Sequence, residues 1–243
     1  MGKFFDKISK FFAEYLFNTK WRCIACGEEI FNEQYFCDKC KNTLPVNDGK
    51  ICQHCGRQLK VSSEYCTTCK GRLTNVDKAR SIYSYKKPVN VLIKNLKYDN
   101  ACYVVEAVVS DLANLYFKSY FNADMVTFVP MTERAKRKRG YNQSELLAQE
   151  FSKKTGIELA ELFVKVKETK RQATLNRENR QKNLLEAFKV CNRSKIKDKK
   201  VLIIDDVTTT GATAEVLAGR LKKAKASAVY LLTVASVPPK DGY

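Results

Sequence analysis

The chain has 243 residues, enough for one domain with a sizeable core and a smaller companion. Apolar content of 44% is that of a globular protein, and no apolar run approaches the ~20 residues a bilayer span requires. The formal net charge of +18, from 44 Lys and Arg against 26 Asp and Glu, favours polyanionic partners: nucleic acid, phosphorylated metabolites or an acidic membrane surface.

Residues 1–20 predict an amphipathic helix. Phe4, Phe5, Ile8, Phe11, Phe12, Tyr15 and Leu16 recur at helical spacing, with Lys3, Lys7 and Lys10 mostly on the other side. Such a stripe packs on its own protein or lies on an anionic membrane surface, a peripheral contact. Asp6, Lys7, Lys10 and Glu14 interrupt what would have to be the apolar core of a secretory signal, so a cytoplasmic location is expected.

Residues 21–72 form an internal duplication rich in cysteine. Cys23 to Cys40, "CIACGEEIFNEQYFCDKC", and Cys52 to Cys69, "CQHCGRQLKVSSEYCTTC", share four cysteines at identical spacing, a glycine after the second and an aromatic before the third. Each Cys-x-x-Cys turn offers two thiolates, and a second turn ten residues on completes a tetrahedron for a structural metal. Two Zn²⁺ ions are the expectation, an iron–sulfur cluster the minority alternative. The simplest pairing groups Cys23, Cys26, Cys37 and Cys40 apart from Cys52, Cys55, Cys66 and Cys69; spacing alone leaves an interleaved arrangement open. His54 reads as a bystander inside the second repeat. Cys102 and Cys191 lie in apolar surroundings and read as small buried hydrophobes.

From residue 76 to the end the pattern changes to alternating strands and helices. Strands are predicted at 81–85, 125–130, 162–166, 201–204 and 229–234. Helices are predicted at 88–98, 103–120, 142–154 (with Gly156 as its stop) and 212–225. A basic loop joins the second strand to the helix from Asn142. Residues 132–200 carry twenty Lys and Arg against nine Asp and Glu. Alternation of this kind implies an α/β fold, a parallel sheet flanked by helices, with ligands at the carboxyl ends of strands.

One stretch carries the chemistry: "VLIIDDVTTTGAT", Val201 to Thr213. Backbone N–H groups of Thr208, Thr209, Thr210 and Gly211, between a strand and a helix, can converge into an anion nest that the helix dipole supports. The adjacent carboxylates of Asp205 and Asp206 suit a vicinal diol. Phosphate on one side and diol on the other describe a ribose 5-phosphate.

The stretch resembles the binding motif for phosphoribosyl pyrophosphate (PRPP) in type I phosphoribosyltransferases. Together with the cysteine repeats, "VPMTERAKRKRGYNQSELLA" (Val129 to Ala148) and "KETKRQATLNRENRQKNLLEAF" (Lys167 to Phe188), it makes the chain resemble the ComF family of competence-associated, phosphoribosyltransferase-like proteins. The resemblance implies a type I phosphoribosyltransferase-like domain behind a tandem zinc-knuckle module. Asp205 and Asp206 would hold the ribose hydroxyls; Thr208, Thr209, Thr210, Gly211, Ala212 and Thr213 would hold the 5-phosphate, with Val207 also in the PRPP-binding stretch. Arg134, Arg137, Lys138, Arg139, Tyr141 and Asn142 occupy the pyrophosphate-gripping position, where surplus cations also suit single-stranded DNA and Tyr141 a stacked base. Arg171, Gln172 and Arg180 fall in the place of the mobile loop, and Mg²⁺ would accompany the pyrophosphate.

Two functions follow from the resemblance. The favoured one is a competence factor for natural transformation. It would handle incoming single-stranded DNA, bind PRPP or a ribose 5-phosphate group, and work with other competence or recombination proteins. The alternative is an active phosphoribosyltransferase in which Asp205, Asp206 and Arg139 serve catalysis, pyrophosphate being released from PRPP as the phosphoribosyl group passes to an unknown acceptor.

Overall fold

The computed structural model describes residues 22–31, 34–59, 63–71, 74–98, 101–168 and 183–238. The N-terminal amphipathic stretch and the expected mobile-loop residues Arg171, Gln172 and Arg180 lie outside them.

The chain from residue 78 builds one five-stranded, all-parallel sheet. Its strands are β1 (Lys78–Ser84), β2 (Met125–Phe128), β3 (Glu158–Leu159), β6 (Lys200–Thr208) and β7 (Ala228–Ser236), in the order β1-β7-β6-β2-β3. The central strands carry apolar runs such as Val201–Ile204 with side chains buried to both sides, because both faces are covered. Helices α2 (Val89–Tyr98), α3 (Ala101–Lys118) and α5 (Gln143–Thr155) pack one face, where Leu92, Leu96, Leu112, Leu147 and Phe151 meet Leu202, Ile204 and Leu232. On the other face α6 (Ala212–Lys223) sets Leu217 and Leu221 against Val201, Ile203 and Leu231. Alternate residues of one strand thus supply two separate cores. Among the described residues no helix is long and apolar enough to cross a membrane.

Two expectations are corrected. The strand expected at 162–166 forms, as β4 (Phe163–Lys165), but it pairs antiparallel with β5 (Phe188–Val190) outside the main sheet. Phe163 and Phe188 are buried against the α6 face, which fixes the hairpin there. The expected basic loop is a short helix, α4 (Glu133–Arg139). Thr132 caps its first turn by accepting the Ala135 N–H at 3.2 Å, and Gly140, at φ +88°, ends it in a left-handed conformation that favours glycine. Propensity favours helix across Glu133–Arg139, where Arg, Lys, Ala and Glu all rank high.

The N-terminal module docks on the edge strand β1. Segment 45–47 runs along it, with Asn47 N–H donating to Ile82 O and Ser84 N–H to Pro45 O. Asn47 is buried and ties Ser81 to Ser236 through its amide. A short helix, α1 (Asp38–Asn42), closes the first repeat.

Candidate functional site: a ribose-phosphate motif beside two tetra-thiol knuckles

β6 and β2 lie side by side at the centre of the sheet, and the chain leaves them in opposite directions. After β2 it crosses by α5 to β3; after β6 it crosses by α6 to β7. Their carboxyl ends therefore border a topological switch point, where open α/β sheets bind ligands.

β6 runs four residues past the predicted strand, so both aspartates stand inside it, Asp205 in register with Thr233. Each carboxylate has its own partner. Asp205 Oδ1 accepts the Ser144 hydroxyl at 2.7 Å and the Asp206 N–H at 2.9 Å. Asp206 is 5% exposed, and Lys97 from the last turn of α2 stands 2.8 Å from its Oδ2. Burial, and then the neighbouring Asp206 carboxylate, hold the Asp205 carboxyl well above the usual carboxylate range; the Ser144 hydrogen bond works against them.

Past the aspartates, Val207 packs its side chain on the core. The Thr208 carbonyl accepts the Val237 N–H at 2.8 Å. Thr209 and Thr210 are exposed, Gly211 takes φ +82°, and Ala212 and Thr213 open α6. Thr210 Oγ1 accepts the Ala212 N–H at 3.4 Å, so its hydroxyl sits over the helix start. A loop with exposed hydroxyls at a helix N-terminus is suited to an anion.

The basic segment divides by role. Arg134, Arg137 and Lys138 are exposed on α4, and none is ion-paired among the described residues. Lys136 is paired with Glu145 at 2.7 Å. Arg139 folds back to donate to Gln143 Oε1 at 2.6 Å, its guanidinium 5.3 Å from the exposed Tyr98 ring. Asn142 is 2% exposed and caps α5 by accepting the Ser144 N–H, while its amide donates to Val129 O at 3.0 Å. Tyr141 donates its hydroxyl to Leu96 O at 3.1 Å. Asn142 and Tyr141 thus spend their polar groups on joining α5 to its surroundings. A cleft of about 710 Å³ opens beside this segment, walled by Met131, Thr132 and Arg134 on one side and Phe163, Lys165 and Val166 on the other. Burial holds the Lys165 ammonium below its usual range, opposed by the Asp205 and Glu168 carboxylates.

The cysteines group as the simplest pairing predicts. In Cys23, Cys26, Cys37 and Cys40, and again in Cys52, Cys55, Cys66 and Cys69, the four Sγ atoms lie within 4.8 Å of one another. Cys26 and Cys37, and likewise Cys55 and Cys66, stand 3.7 Å apart. A tetrahedron with metal–sulfur bonds of about 2.3 Å has edges of about 3.8 Å, so the donor set fits Zn²⁺. Interleaving is ruled out by this grouping. His54 stays outside, with Nε2 2.9 Å from Thr74 Oγ1.

Lys97, Ser144, Lys165 and Arg57 are site residues that pattern reading passes over. Only Arg57 left a trace: the first repeat has Glu28 at the matching place.

Sequence comparison agrees with this geometry. A double zinc ribbon domain matches residues 12–70, and a phosphoribosyl transferase domain matches residues 137–241. Competence protein F of Haemophilus influenzae is 28% identical over 215 residues, covering 84% of this chain and 91% of that protein. The DNA utilization protein YhgH of Escherichia coli is 27% identical, covering 79% and 86%. Competence protein ComFC of Streptococcus pneumoniae is 23% identical, covering 86% and 96%. A double zinc ribbon followed by a phosphoribosyl transferase domain, in a chain that aligns with these competence and DNA utilization proteins over most of their length, supports its assignment to the ComF family.

Proposed function

We propose that this protein is a ComF-like competence factor that handles incoming single-stranded DNA and binds PRPP or a ribose 5-phosphate group. The observation that carries the reading is the paired carboxylate site on β6. Asp205 and Asp206 are held by Ser144 and Lys97 directly before the Thr208–Gly211 loop. A buried and a half-buried acid with fixed partners, one turn from an anion loop, match a sugar diol and its phosphate. The ligand's pyrophosphate, with Mg²⁺ as its counterion, would sit against α4 and the cleft beside it. The knuckles hold structural Zn²⁺.

The DNA role rests on charge and on the relatives' names. Arg134, Arg137 and Lys138 present exposed cations on α4, Arg134 lining the cleft, where a phosphate backbone would release counterions and binding would weaken steeply with salt. Turnover as a phosphoribosyltransferase is the alternative. Its acceptor would occupy the 710 Å³ cleft, facing Lys165.

Calorimetric titration of PRPP with Mg²⁺, on the wild type and on Asp205→Ala/Asp206→Ala, tests the reading. Binding that the double substitution removes is the expected result. No heat from the folded, metal-loaded wild type would reject the ligand site. Pyrophosphate release with a panel of bases separates binding from turnover.

A further inference from the structure

The two knuckles are copies in sequence but not in setting. Gly27 of the first has open space around it. Gly56, at φ +68°, lies so close to β1 that a Cβ there would stand 2.6 Å from Ala79 O and 2.9 Å from Arg80 Cα. The second knuckle is pressed onto the strand. His54 O accepts the Ala79 N–H at 2.7 Å, and Arg80 donates to Gln53 O at 3.0 Å.

Arg57, the next residue, touches both the metal site and the phosphate loop. Its carbonyl accepts the Cys52 N–H at 2.9 Å, which ties it to the turn that carries the first thiols of the site. Its side chain, 5% exposed, reaches across the module boundary so that Nη2 donates to the backbone carbonyl of Thr209. Among the described residues no carboxylate is paired with it. A buried guanidinium without a carboxylate, placed against a loop whose N–H groups serve an anion, supplies both a brace and a positive charge. A second tie stands beside it: Asn75, in the segment after the knuckle, donates its N–H at 2.8 Å to Glu215 in the first turn of α6.

We propose that Arg57 is a positioning residue of the phosphoribosyl site, through which the metal knuckle Cys52/Cys55/Cys66/Cys69 holds the Thr208–Gly211 loop in its anion-binding shape. The proposal rests on the reading that this loop takes a phosphate. Its consequence is linkage: metal retained in the second knuckle favours ligand, and ligand favours metal by the same factor. The first knuckle, with Glu28 in the matching place and no such contact among the described residues, stands outside the linkage.

The test uses the full-length, zinc-loaded protein. Hydrogen exchange of residues 208–213 is measured without ligand in the wild type, Arg57→Met and Glu28→Met. Loss of one charge-assisted hydrogen bond should speed exchange about tenfold in Arg57→Met and leave Glu28→Met unchanged. Equal exchange in all three overturns the proposal. Zinc release to a colorimetric chelator is then timed with and without PRPP and Mg²⁺. The ligand should slow release of one of two metals in the wild type and of neither in Arg57→Met. Ligand that binds yet leaves both release rates alone also overturns it. A wild type that binds no PRPP rejects the phosphate reading instead, and the exchange comparison still decides the role of Arg57. Should Arg57→Met shed its second metal, Arg57→Lys, which keeps the stem and charge but not the planar fork, carries the same comparison.

Discussion

Replacing Lys97 probes the energetics of the acidic pair directly. Asp206 is buried at the end of β6, and its Oδ2 meets the Lys97 ammonium at 2.8 Å. Lys97→Met keeps the apolar stem packed on α2 but leaves the carboxylate buried without its cation and one residue from a second acid. Breaking a buried pair in this way costs about 3–5 kcal/mol. Because the Lys97 side chain is still 30% exposed, water reaches the pair, and the lower end, about 3 kcal/mol, applies. For a chain of this size that is a drop of roughly 6–12 °C in Tm. Denaturant unfolding at pH 7.5 of the wild type, Lys97→Met, Asp206→Asn and the double variant closes the cycle. Lys97→Met/Asp206→Asn should regain most of the loss, since no charge then remains unpaired. A single variant within ~0.5 kcal/mol of wild type, or a double variant no better than the single, would refute the assignment of this pair as what holds Asp206.

Asp205 carries a pH signature. Its carboxyl is raised by burial, so the folded protein keeps a proton that the unfolded chain releases near pH 4. The stability linked to Asp205 therefore falls as pH rises from about 4 towards the raised value. Asp205→Asn should remove that slope and be more stable than wild type at pH 7.5 while losing the ribose ligand; parallel stability–pH curves would contradict this. Replacing Arg134, Arg137 and Lys138 together by alanine should reduce the salt slope of single-stranded DNA binding by about 2 on a log–log plot, and an unchanged slope would move the DNA surface elsewhere. Metal analysis should return two zinc ions per chain, with Cys37→Ser losing one and Cys66→Ser losing the other independently. Coupled loss from both sites would mean the knuckles share ligands.

Much of this protein was legible in its chain. Strict Cys-x-x-Cys spacing, repeated, fixes a tetra-thiol chemistry because two thiolates on one tight turn converge wherever the turn is placed. The apolar run Val201 to Ile204 followed by Asp205, Asp206 and Thr208–Gly211 marks a strand, a pair of adjacent carboxylates and a loop at a helix N-terminus, since all three are properties of consecutive residues. Other features depend on segments distant in sequence. The basic stretch before Gly140 reads as a loop by its charge, yet Thr132 and Gly140 cap it as a helix once β2 and α5 set its ends. The grouping of eight cysteines into two sites, for which spacing favours the sequential pairing but leaves an interleaved one open, is decided by which sulfurs the fold brings together. Lys97, Ser144 and Arg57 reach Asp206, Asp205 and Thr209 across 109, 61 and 152 positions of sequence. No local pattern marks such residues. Sequence by itself determined what chemistry the chain carries; the tertiary structure decided which distant cations and hydroxyls hold that chemistry in place, because only packing brings them within hydrogen-bond reach.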